Sequence, residues 1–273
     1  MIEIIKPLSP LRPALKAVLF DFDGTLSTLR CGWEEIMEPM MLEFIAGETA
    51  LDETLKGEVK SFIDRSTGIQ TYYQMEWLAG EVRRLKRNPG ASADPWWYKD
   101  EYNRRLMNCV MQRREKILSG KASPEDYLMD GSRELLAALT DRGISIYVAS
   151  GTDHEDVNEE ARILGLLPYF KEVVGAPLHK AECSKAAVIR RMIREHQLQG
   201  QEVAVWGDGK VEIGLGNEIQ AVTIGVASDE ARRRGVNPVK RDRLIQAGAH
   251  AIIGDFSEKE ELLDFLTIKS KWI

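Results

Sequence analysis

Seven residues, Phe20-Asp21-Phe22-Asp23-Gly24-Thr25-Leu26, hold the most chemistry in this chain. They close an apolar run, Lys16 to Asp21, of the kind that forms a strand buried on both faces. Side chains alternate along a strand, so Asp21 and Asp23 project together while Phe22 turns into packing. Two carboxylates confined to one space repel unless a cation or a proton intervenes, and a bound Mg²⁺ would answer that repulsion. Divided labour follows: Asp21 as nucleophile on phosphorus, Asp23 as the acid that protonates the leaving oxygen and later the base that activates water. Gly24 frees the backbone to turn and offer N–H groups to phosphate oxygens, while Thr25 hydrogen-bonds locally. Asp, Gly and Thr are also ordinary turn residues, so the motif needs context before it means chemistry.

Three further segments supply that context in chain order. Ile144 to Ala149 reads as a strand that delivers Ser150-Gly151-Thr152 to the same edge, with Ser150 and Gly151 placed to hold phosphate oxygens. Ser150 could equally belong to the cap of the next helix, beside Thr152 and Asp153. Lys185, at the start of a helical stretch, would neutralise charge shared by Asp21 and phosphate, and Lys180 competes for that role. The last segment, Val203 to Glu212, is another buried strand running into Gly207-Asp208-Gly209. Asp208 suits Mg²⁺, which prefers oxygen donors and retained waters. Glu212 reaches the metal directly, through water, or serves instead to orient Lys185.

These residues need a scaffold of strand ends. Apolar runs recur at Ala221 to Val226 and Ala249 to Ile253, and helical stretches run over Ser132 to Arg142, Asp153 to Leu164 and Ser184 to Leu198. Strand and helix in alternation mean a parallel sheet. Residues 28–130 differ, with helical periodicity and four of the six tryptophans, and are cut by Gly47, Gly68, Asn88-Pro89-Gly90 and Ser123-Pro124 into roughly four helices. An α/β core of residues 1–27 and 131–273 with a helical insertion of 28–130 accounts for the pattern. Within that insertion Arg30, Trp33, Arg65, Gln70, Tyr72 and Tyr73 are candidates to face the cleft, although aromatic core or solvated arginine is the commoner fate of such residues. Trp96-Trp97 with Tyr98 and Tyr102 reads as the inside of a helix pair, and Arg104-Arg105 and Arg113-Arg114 as a charged outer face.

Composition excludes several classes. The 273 residues carry 37 Lys+Arg against 43 Asp+Glu, a net charge of -6, which gives no field to hold nucleic acid. No apolar run is long enough to cross a membrane and no hydrophobic leader precedes Lys16, so a cytoplasmic protein is expected. Cys31, Cys109 and Cys183 are too few and too scattered for a disulfide framework or a thiolate zinc site.

With its four motifs in order, the chain resembles the haloacid dehalogenase superfamily, in particular members of the phosphoglycolate phosphatase and β-phosphoglucomutase type. The resemblance implies a three-layer, Rossmann-like α/β core with the first strand central, plus an inserted all-helical cap. It implies Asp21 as nucleophile, Asp23 as acid/base, Ser150 and Lys185 as phosphate and charge holders, and Mg²⁺ held by Asp21, Asp23 through its main-chain carbonyl, and Asp208. Two departures stand out: the second acidic position is Glu212 where relatives often carry Asp, and Lys185 lacks a following Pro-x-Pro. The expected activity is a Mg²⁺-dependent phosphatase acting on a small phosphorylated metabolite, a sugar phosphate or a phosphoglycolate-like acid, as monomer or homodimer. A sugar-phosphate mutase and a non-catalytic phosphate-binding regulator are the alternatives. A dehalogenase is disfavoured, because a halide leaving group has no use for the acid at Asp23.

Overall fold

The computed structural model describes residues 2–177 and 185–266. A two-residue strand, β1 (Glu3–Ile4), precedes β2 (Ala17–Phe20). Four helices follow: α1 (Trp33–Ala46), α2 (Glu53–Ser66), α3 (Thr71–Leu85) and α4 (Pro95–Leu118). The chain then alternates through α5 (Ser132–Asp141), β3 (Ser145–Asp153), α6 (His154–Ile163), β4 (Glu172–Ala176), α7 (Lys185–Glu195), β5 (Val203–Gly207), α8 (Lys210–Glu218), β6 (Val222–Val226), α9 (Pro238–Gln246), β7 (Ala251–Ile253) and α10 (Lys259–Phe265).

The strands form one sheet in the order β1-β7-β6-β5-β2-β3-β4. All neighbours run parallel except β1, which pairs antiparallel with β7, so the expected parallel sheet carries one reversed edge strand. β2 lies between β5 and β3, with Phe20 in register with Trp206 on one side and Val148 on the other. Alternation along β2 makes the three layers. Val18 and Phe20 pack with Leu135, Leu136 and Val157 of α5 and α6 on one face, while Ala17 and Leu19 pack with Val188, Ile189 and Met192 of α7 on the other. Neither β1 nor β4 stood out in the sequence, because β1 is two residues long and Glu172-Val173-Val174-Gly175-Ala176 has only a brief apolar core.

Helices α1 to α4 share an apolar cluster of their own. Met37, Met40, Met41 and Ile45 line one side of α1, Leu55, Val59 and Ile63 one side of α2, and Tyr98, Tyr102, Leu106 and Val110 one side of α4, all at helical spacing. Asp52 and Asp94 begin α2 and α4 by accepting from Leu55 N and Trp96 N. The segments leading into and out of these helices run side by side: Thr28 N donates to Tyr127 O and Met129 N to Leu26 O, both near 3 Å. Cys31 is partly buried and Cys109 exposed, both as free thiols. Cys183 lies outside the described residues.

Candidate active site

Asp21 follows β2 and Asp208 follows β5, the adjacent strand, so register alone brings both to the carboxyl edge of the sheet. Asp21 N donates to Trp206 O at 2.8 Å, which continues the ladder one residue past β2. Lys185, the first residue of α7, reaches Asp21 Oδ1 at 2.9 Å and also binds Glu212 Oε1. Asp21, Lys185, Asp208 and Glu212 are all buried.

Asp23 leaves the strand on the neighbouring side. Its Oδ2 accepts from Thr152 Oγ1 at 2.8 Å and from Ser150 Oγ at 3.4 Å, and its Oδ1 lies 3.8 Å from Arg30 Nε. Gly24 makes this turn at φ +70, where a Cβ would stand 2.5 Å from Asp208 Oδ2, so both conformation and space call for glycine. Its N–H donates to Ser27 O at 2.9 Å and its carbonyl accepts from Ser228 Oγ, bonds that tie the turn in place. Thr25 is buried, and its hydroxyl has no partner among the described residues, contrary to the local bond expected of it.

Burial dominates the electrostatics. It pushes the Asp21 carboxyl well above the usual carboxylate range, helped by the charges of Glu212 and Asp208 and opposed by Lys185. Asp23 is raised to about 6 by burial, against the pull of Arg30. Burial would depress Lys185, but Asp21 and Glu212 outweigh it and hold the ammonium above an ordinary lysine. Asp21, Asp208 and the Asp23 carbonyl could together hold Mg²⁺, which is commonly bound through one or two carboxylates plus substrate phosphate. The mutual repulsion at Asp21 is what such a cation would relieve. Among the described residues no group of three or more His, Cys, Asp or Glu side chains is arranged for a metal, so a cage built wholly from such side chains does not form there. Glu212 binds Lys185 through Oε1, which fits the role of orienting that lysine, while its Oε2 has no partner among the described residues.

Asp21, Asp23, Ser150, Thr152, Lys185 and Asp208 line a cavity of about 100 Å³ together with residues of the helical insertion. Of the expected cleft residues, Arg30 and Trp33 line it, whereas Arg65, Gln70, Tyr72 and Tyr73 do not. Arg30 is not free for substrate on its Nε and Nη2, which both bind Glu160, at 2.7 Å for the closer contact. Thr67, Thr71, Gln74, Lys99, Tyr102, Asn103 and Asp153 add further polar lining. Lys99 and Asn103 both bind Asp153, at 2.6 and 3.1 Å. The φ of Gly68 is +91, and a Cβ there would stand 3.1 Å from both Glu212 oxygens, so the insertion touches the lysine-orienting group directly. Trp96 packs on Tyr72 and Trp97 on Phe44, but Trp96 is only half-buried and Trp97 exposed, so the helix-pair interior expected of this run holds for Tyr98 and Tyr102 alone, and Tyr102 also lines the cavity.

Two residues of α9 went unseen in the sequence. Lys240 Nζ donates to Asp208 Oδ2 and Glu230 Oε1, both at 2.7 Å, and to Ser228 Oγ at 3.1 Å. Arg243 Nη2 donates to the Asp208 carbonyl at 3.1 Å while its Nη1 reaches Asp64 and Thr67 of the insertion at 2.9 and 3.3 Å. Their three-residue spacing puts both on one helical face, the only trace the sequence holds. Lys180, the rival of Lys185, lies outside the described residues.

Comparison with known proteins places the chain. The family model for haloacid dehalogenase-like hydrolases matches residues 15–219, and the chain belongs to that family. No curated protein sequence matches significantly. Solved structures share the fold at low identity. A predicted phosphatase from Clostridium acetobutylicum has TM-score 0.61 at 18% identity, with 92% of this chain and 100% of that chain covered. A predicted phosphoglycolate phosphatase from Haemophilus somnus has TM-score 0.59 at 15% identity over 91% and 97% of the two chains. A β-phosphoglucomutase from Clostridium difficile has TM-score 0.63 at 14% identity over 93% and 97%.

Proposed function

We propose that this protein is a Mg²⁺-dependent phosphatase that hydrolyses the phosphomonoester of a small metabolite, a sugar phosphate or a phosphoglycolate-like acid, through a phosphoryl group carried on Asp21. The observation that carries the reading is the Lys185 ammonium, buried between Asp21 and Glu212 in a cavity that Asp21, Asp23 and Asp208 also line.

An Asp21 oxygen attacks phosphorus, and as that P–O bond forms the bond to the leaving oxygen breaks. Asp23 gives its proton to the departing alkoxide; a carboxyl raised to about 6 suits a donor working near neutrality. Asp23 then takes a proton from water, whose oxygen attacks phosphorus and displaces Asp21. Inorganic phosphate leaves, with Asp23 protonated again and Asp21 restored. Thr152 and Ser150 hold the Asp23 carboxylate throughout, and Glu212 keeps Lys185 over Asp21. Asp21, Asp208 and the Asp23 carbonyl would hold Mg²⁺, which would neutralise phosphate charge there. The insertion excludes bulk water and meets the leaving group.

The test is release of inorganic phosphate from a panel of phosphorylated metabolites with Mg²⁺. Asp23→Asn should lower turnover by about 10²–10⁴-fold and Asp21→Asn by at least as much, with both variants folded. Rapid quenching and peptide mass analysis should find phosphate on Asp21. Full activity in Asp21→Asn sinks the nucleophile; isomerised sugar phosphate without free phosphate makes the protein a mutase, and thermal stabilisation by phosphate with no turnover makes it a binder.

A further inference from the structure

The amino ends of β5, β6 and β7 frame a second cavity, of about 330 Å³, on the side of the sheet remote from Asp21. β5 alone separates the two ends by roughly 17 Å at about 3.3 Å per residue. Its polar lining comes from Ser9, Arg12, Gln201, Gln220 and His250, its apolar rim from Leu8, Leu11 and their neighbours, and no Asp or Glu lines it.

Arg12 is the unusual member. Its only side-chain hydrogen bond among the described residues runs from Nη2 to the Val203 carbonyl, 3.2 Å, and no carboxylate there pairs with it. Burial lowers its pKa to about 10, with no anion acting in the other direction. A guanidinium has five N–H groups in a fork that matches a carboxylate, so most of this donor set is uncommitted within the described residues. His250 adds a second donor. Its Nδ1 accepts from Thr223 N at 3.2 Å, which puts the proton of the neutral ring on Nε2. Burial and the charges of Lys6 and Arg12 keep the ring in that neutral form. Gln220 accepts from Gln201 Nε2 at 3.4 Å through its carbonyl, so its own amide N–H groups remain donors. It also holds φ +63, a left-handed conformation uncommon outside glycine. Leu8 is partly buried and Leu11 is 92% exposed, an apolar surface beside the cation.

We infer that this cavity is a binding site for a small organic monocarboxylate, its carboxylate on the Arg12 fork and its apolar body against Leu8 and Leu11. Among the described residues Arg12 is the one lysine or arginine that lines the cavity, so its single positive charge favours a monocarboxylate over a phosphate dianion. Cavity size agrees, since ligand pockets span about 300–1,000 Å³. The site shares no residue with the phosphoryl cavity and does not rest on the proposed phosphatase activity.

Benzoate and isovalerate are the probes, with chloride at equal ionic strength and neutral benzamide as controls, followed by thermal shift and calorimetry on the full chain. Either carboxylate should raise the melting temperature of the wild type and of Asp21→Asn equally, and should do so with inorganic phosphate present. Arg12→Met should weaken binding at least tenfold. Gln201→Glu, at an exposed position, would set a carboxylate beside Arg12; it should stabilise the protein without ligand and abolish carboxylate binding, and it decides the matter if Arg12→Met does not fold. The inference is overturned if neither probe acts beyond chloride, if benzamide acts equally, or if binding survives Gln201→Glu.

Discussion

Asp208 is gripped from two sides: Lys240 holds its carboxylate and Arg243 its carbonyl. Each is a buried cation, so each must recover its desolvation cost through its partners. Lys240 does so with Asp208 and Glu230 together, whose attraction outweighs burial and keeps the ammonium above an ordinary lysine. Removing the ammonium leaves two carboxylates confined at one spot. We expect Lys240→Met to cost about 3–5 kcal/mol of stability, the range for breaking a buried ion pair, with Lys240→Arg recovering part of it. Urea unfolding measures this, and a loss below about 1 kcal/mol would mean that Asp208 and Glu230 do not depend on Lys240. The residue was illegible in the sequence because Lys240-Arg241-Asp242-Arg243 looks like any solvated helix surface.

Helix α4 shows how one element serves two environments. Arg104 and Arg105 bind Glu101, and Arg105 also spans to Glu43 of α1, on the outer face that their charges suggested. Arg113 and Arg114 do not join them: Arg113 donates to the Leu29 and Cys31 carbonyls, and Arg114 is buried against Asp156 and Glu160 of α6. Ten residues turn a helix by about 1,000°, roughly 80° short of three turns, which is enough to swing the second pair off the first pair's face. The outer cluster predicts a pH effect. A hydrogen bond from Arg104 is the main cause that lowers the Glu101 carboxyl from 4.5 to about 2; burial opposes it, and Arg105 adds to the lowering. A carboxyl lowered on folding adds stability above its unfolded pKa and loses it as pH falls through the folded one. Between pH 5 and 2 the wild type should therefore lose stability more steeply than an Arg104→Gln/Arg105→Gln double variant. Parallel urea midpoints across that window would remove Glu101 from the account.

Across the whole molecule, the helical insertion and the α/β core meet through buried charge. Glu160 of α6 has no exposed surface and accepts from both Arg30 and Arg114, each at 2.7 Å, while Arg30 also faces Asp23. The same cluster thus joins the α4 helix to the core and tunes the proposed acid/base. Arg114→Met should cost about 1.5–3 kcal/mol, the worth of a hydrogen bond to a charged group, since Glu160 keeps Arg30. Hydrogen exchange should quicken in α4 and α6 together; faster exchange in α4 alone would show that the cluster does not couple them.

The strand–turn motifs could be read from the sequence because their geometry is local. Alternation along β2 and β5 and the turns after them determine where Asp21, Asp23 and Asp208 emerge, and apolar periodicity marked the four inserted helices. Pairing was another matter. That Lys185 meets Glu212, that Arg30 meets Glu160, and that Lys240 is buried rather than solvated all depend on segments far apart in the chain, 130 residues in the case of Arg30 and Glu160. Buried charges must be neutralised by whatever opposite charge the fold brings within a few ångströms, and only the packed tertiary structure determines which residue that is.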